Sequence, residues 1–159
     1  MLRLSKKADY ALIAMKHLAM KPGAVSSAGS ASGCAAVSAR DIAEQYDIPI
    51  ELMAKVLQRL VRTGLLVSTQ GTRGGYALGR ASASISVADV IQAIDGPFTV
   101  TACSTEKNDC EQYHKCSIRD PLWQIKERIV EALGTVTIAE MASEQVSAGA
   151  VSPVAVLRR

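Results

Sequence analysis

Aromatic side chains are scarce in this chain: one Phe, one Trp and four Tyr, 4% of 159 residues. The core must therefore be built from Leu, Ile, Val, Ala and Met, and a stacking platform for single-stranded bases is excluded. No run approaches the roughly 18 apolar residues a membrane helix needs. The start is basic (Arg3, Lys6, Lys7), as in a leader peptide, but the apolar stretch 10–15 is cut at once by Lys16 and His17, too soon for an export signal. The expectation is a cytoplasmic protein with no membrane contact. Also missing are a C-x-x-C pair, a nucleophile elbow and a phosphate-binding glycine loop, so nothing points to an enzyme or a small-molecule substrate. A net charge of +3 permits nucleic-acid binding without arguing for it; what decides is where the charge sits.

What is present reads as short helices around a hairpin. Residues 5–20 place Ala8, Ala11, Leu12, Met15, Leu18 and Ala19 at helical spacing behind Ser5 as a cap. Residues 21–37 turn to Gly, Ala and Ser, with no charge after Lys21, and predict a flexible loop in which Cys34 is an incidental thiol. Ser38 caps a short helix, with Asp41 at the capping-box position. A break at Asp47-Ile48-Pro49 leads into a second helix, about 49–62, with Leu52, Val56, Leu57, Leu60 and Val61 as its apolar stripe, ended by Gly64. A strand at 65–69, a glycine-rich turn at 71–75 and a returning strand at 76–78 follow. Ser86 caps a helix over 87–94. A cysteine segment occupies 103–116, an amphipathic helix about 120–133 and a short helix 138–142, and the tail from 143 is without periodicity. The fold class predicted is mainly α with a small β-hairpin wing. The expected division is a winged helix-turn-helix domain over 1–82, then a connecting helix, cysteine loop and dimerisation helix over 83–142, then a disordered tail over 143–159.

Helix, break, helix, strand, turn, strand is the order of a winged helix. The second helix can enter a DNA major groove through its N-terminal part, which makes Pro49, Glu51, Leu52, Lys55, Gln58 and Arg59 the candidate readers of operator DNA. Thr72 and Arg73, between glycines at the wing tip, suit a minor groove or phosphate. The same pattern also fits a small helical domain whose charges are an ordinary solvated face, or a protein-binding module.

Cys103, Cys110 and Cys116 lie within fourteen residues of mostly polar sequence. Thiols buried for packing sit among apolar neighbours instead. Zinc sites favour C-x2-4-C pairs, which are absent, whereas looser spacing suits thiolates reaching round an iron–sulfur cluster. A zinc-stabilised interaction module and a thiol-redox protein remain open alternatives. Three cysteines leave one iron position for a weaker ligand, for which Asp109 and His114 are local candidates. On the long helix, Leu122, Ile125, Ile129 and Leu133 form an apolar stripe suited to a homodimer interface.

The combination of L-R-L-S-K-K-A-D-Y-A-L, A-R-D-I-A-E, R-L-V-R-T-G-L-L, G-T-R-G-G-Y-A-L-G-R, I-S-V-A-D-V-I-Q-A-I-D-G, the three cysteines and V-T-I-A-E-M resembles the Rrf2 family of bacterial transcription regulators over residues 1–20 and about 38–142. Within it the likeness is greatest to regulators of the Suf iron–sulfur assembly system. The resemblance implies a homodimer on double-stranded operator DNA, with the helix after the cysteines crossing its partner. It also implies an iron–sulfur cluster, of 2Fe–2S type ahead of 4Fe–4S. It implies a fourth ligand at Asp9, from the first helix of the other subunit. Another relative's histidine ligand falls at Arg119 here and is absent. The spacing from Cys103 to Cys110 is one residue longer than in many members, and the loop over 21–37 is longer than the family usually has.

Overall fold

The computed structural model describes residues 4–21, 36–71, 74–100, 111 and 113–143. Most of the expected loop (22–35), the wing-tip residues Thr72 and Arg73, the thiols Cys103 and Cys110, Asp109 and the tail from 144 lie outside the described residues.

Local capping chemistry sets the helix starts. In α1 (Lys6–Met20) the Ser5 hydroxyl accepts from the Ala8 N–H at 3.1 Å. α2 (Ala39–Gln45) opens with a reciprocal capping box between Ser38 and Asp41, and α4 (Val87–Asp95) with the same device between Ser86 and Asp89. Such caps contribute about 1 kcal/mol each. α3 (Ile50–Arg62) has Pro49 as its cap rather than its first residue, and Gly64, at φ 74, lets the chain leave it.

The hairpin pairs β1 (Leu66–Thr69) with β2 (Gly75–Leu78), antiparallel, Leu66 opposite Leu78 and Ser68 opposite Tyr76. Val37 extends it by one residue through two backbone bonds to Tyr76, 3.0 and 2.9 Å. The crossing explains Gly75, where a β-carbon would lie 2.6 Å from the Val37 carbonyl oxygen. α5 (Arg119–Thr135) and α6 (Ile138–Ser143) complete the described elements.

One core joins α1 to α4 and α6 with the hairpin: Met15, Ile42, Met53, Leu57, Leu60, Leu65, Leu66, Ile85, Val90 and Ile138 are all fully buried. α6 reaches it because Ile85–Val87 and Val136–Ile138 pair as two short extended segments, with backbone bonds of 2.9 Å each way. The expectation of a mainly helical fold with a two-stranded wing is met. On α3, Met53 is in the core, whereas Leu52 and Val61 are only half-buried.

Among the described residues His17 is the one buried polar side chain. Its Nδ1 lies 3.2 Å from the Tyr46 hydroxyl and the rings meet edge to face, tying α1 to the end of α2. Burial holds its pKa below the ordinary 6.5, the Lys21 cation pushes the same way, and Asp41 acts against both. The unfolded chain takes up a proton near 6.5 that the fold resists. Stability is therefore whole above that pH and falls below it, levelling once folded His17 also protonates. Urea midpoints should drop as the pH falls below about 6.5, and His17→Gln should flatten that decline; parallel profiles for the two proteins would contradict this.

Candidate nucleic-acid interface and cysteine segment

α3 buries Met53, Val56, Leu57 and Leu60 and exposes the opposite face. Glu51, Lys55, Gln58, Arg59 and Arg62 are all exposed at spacings of three and four, so they share one face. Pro49 is exposed at its start, Ile50 is 46% exposed, and half-buried Leu52 edges the same face. The structure thus gathers five of the eight predicted DNA-facing residues on one helix, with Pro49 as its cap; Thr72 and Arg73 fall outside the described residues. Arg59 is not wholly free to reach outward, because its Nε donates to the Ala93 carbonyl of α4 at 2.9 Å.

The chain leaves α4 at Gly96, with φ 86, and runs on toward the cysteine segment. It closes with a single 3-10 turn, Tyr113–Lys115, followed by Cys116, a free, half-buried thiol just before α5. Among the described residues no three potential ligands come together; two of the three cysteines lie outside them. His114 is exposed, and Asp9 is exposed in the first turn of α1.

No residue of α5 is buried. Leu122, Ile129 and Leu133 are half-buried and Ile125 is 46% exposed; Ile118, Trp123, Val130 and Val136 add further exposed apolar surface. Where α5 approaches α4, a groove of about 200 Å³ remains, lined by Ile91, Pro97, Phe98, Val130 and Leu133 among others.

At the end of α4, two tertiary contacts had no signal in the sequence. Asp95, at the end of α4, accepts from the Ser5 hydroxyl at 2.6 Å and the Ser5 N–H at 3.2 Å, and so holds the cap of α1 from outside. Ala93, two residues earlier, holds Arg59. Both bridge residues far apart in the chain, where no periodicity links them.

A helix-turn-helix with an exposed polar and cationic second helix, followed by a hairpin, defines a winged-helix transcription regulator. The family model described as an iron-dependent transcriptional regulator, Rrf2, matches residues 4–144, and the chain belongs to the Rrf2 family. It is 32% identical over 145 residues to the HTH-type transcriptional regulator IscR of Klebsiella pneumoniae, covering 91% of this chain and 82% of that one; IscR of Escherichia coli matches to the same extent. Among solved structures, CymR, the global cysteine regulator of B. subtilis, is similar with a TM-score of 0.68 at 27% identity, covering 90% of this chain and 98% of that one. IscR of T. potens is similar with a TM-score of 0.67 at 26% identity, covering 94% and 92%. These relatives are transcription regulators, not enzymes. Among the described residues no helix is long and apolar enough to cross a membrane.

Proposed function

We propose that the chain is a homodimeric, cytoplasmic repressor whose grip on operator DNA is set by an iron–sulfur cluster, controlling genes of iron–sulfur assembly or of redox and nitric oxide stress. One observation carries the reading: the cysteine segment joins α4, packed in the core that presents the DNA-facing helix, to α5, an amphipathic helix with nothing buried. A change at the cysteines therefore sits between the DNA reader and the element that would pair two copies.

The donor set fits a cluster. Cys116 is a free thiol that is only half-buried, and Cys103 and Cys110 belong to the same short polar segment. These three would hold it, with Asp9 of a second copy as the fourth ligand; Asp9 is exposed, as that role requires. When bound, the cluster supplies an iron position open to oxidant, nitric oxide or iron loss. The segment is mostly polar in sequence, so its order would come from the three thiolates being held together rather than from apolar packing. The relatives named IscR and the iron-dependent family description support the metal reading. We place operator reading on Glu51, Lys55 and Gln58, flanked by Pro49 and Leu52, with Arg59, Thr72 and Arg73 beside them. Residues 1–82 act as the DNA-binding unit and 83–142 as the sensing and pairing unit.

Two tests follow. Lys55→Ala should cost roughly 1–3 kcal/mol on operator and less on random duplex, whereas Arg73→Ala should weaken both; operator affinity unchanged in both variants would sink the DNA-reading assignment. The second concerns the dimer, for which Leu122, Ile125, Ile129 and Leu133 are the proposed contacts. Ile129→Asp should give a monomer in light scattering and lose operator binding, because paired half-sites need a two-fold protein. A variant that stays dimeric removes α5 as the interface.

A further inference from the structure

The last turn of α4 is a junction. Ala93 holds Arg59 of α3, Asp95 holds Ser5 at the cap of α1, and Ile94 between them lines a groove of about 160 Å³. The floor of that groove is apolar, from Leu52, Val56 and Ile94. Its remaining lining is three cations from two helices: Lys7 from the first turn of α1, and Lys55 and Arg59 from α3. Among the described residues no carboxylate lines it. Among the described residues neither Lys7 nor Lys55 has an ion-pair partner. Three like charges round one small concavity repel one another, and a compact anion relieves that repulsion. The groove opens beside the exposed face of α3, where the anion at hand on bound DNA is a backbone phosphate.

We infer that Lys7 and Arg59 form a phosphate site for the DNA backbone beside the base-reading Lys55, with Lys7 as a contact that α1 adds to those of α3. The inference rests on the DNA-binding reading and goes beyond it. Ser5 and Asp95 are positioning residues. Lys7 is the second residue of α1, its orientation follows the Ser5 cap, and Asp95 fixes that cap to α4. Arg59 is fixed to the same turn of α4 through Ala93. The spacing between the two walls of the site is thus set at the point where the chain leaves for the cysteines.

The test is a salt series of duplex binding with wild type, Lys7→Gln, Lys7→Arg, Asp95→Ala and Lys7→Gln/Asp95→Ala. Loss of one phosphate contact reduces the slope of log affinity against log salt by about 0.9. Lys7→Gln should therefore flatten the slope by about 1 for each subunit on DNA and weaken operator and random duplex alike, several-fold at low salt. Lys7→Arg should keep the wild-type slope. Asp95→Ala should weaken binding when Lys7 is present and have little effect in the Lys7→Gln background. Lys7 is exposed, so its replacement leaves the fold intact and carries the test even if Asp95→Ala is unstable. An unchanged slope for Lys7→Gln overturns the site, as does a loss confined to operator. Additive effects of the two substitutions overturn the positioning role. Wild type that binds no duplex contradicts the DNA-binding reading itself.

Discussion

α4 is held at both ends, and the rest of the molecule takes its arrangement from that. At its start, Ile85–Val87 pairs with Val136–Ile138, which draws α6 over the core. At its end, Arg59 and Ser5 tie it to α3 and α1. Each of these bonds contributes only about 1 kcal/mol, somewhat more where a carboxylate accepts. Their consequence is geometric. The helix that carries the charged face, the helix that carries Lys7 and the root of the cysteine segment cannot move independently while these bonds persist.

α5 stands apart from this arrangement. It follows the cysteines directly and meets α4 across an incompletely filled groove, leaving Ile118, Trp123, Ile125, Val130 and Val136 exposed. So much apolar surface on one helix of a small protein is characteristic of an interaction surface. Under the proposed function, the stripe unburied within one chain would pair two copies and the cysteine segment joined to it at Cys116 would sense, so that the two roles would meet at one junction.

Much of the fold was legible because its signals are local. Ser5, Ser38 and Ser86 announce helix starts through a hydroxyl and a partner three residues on, and Gly64 announces an end through a φ that only glycine takes easily. The exposed face of α3 was legible too, since charge and apolarity alternate at helical spacing. The phase of its buried face was less so: Leu52 and Met53 both continue a four-residue spacing to Val56 and Leu57, and in the fold it is Met53 that is buried. The contacts between Ser5 and Asp95, Arg59 and Ala93, and Val37 and Tyr76 were not legible at all. Each depends on how whole elements dock, and one spans 90 positions. That distance hid Lys7 as well, which in sequence is one more surface cation and in the fold borders the charged face of α3.

The central claim is that the state of Cys103, Cys110 and Cys116 changes the grip on DNA. It is tested most directly by the affinity for an operator that the protein itself selects from a random duplex pool. Three forms are compared, each with its absorption spectrum recorded: coloured protein purified without oxygen, the same protein stripped of metal, and Cys110→Ala. The two colourless forms should agree, and the coloured form should differ from both by roughly 5- to 150-fold. Equal affinity of all three, with the first form coloured, would make any cluster structural and contradict the account.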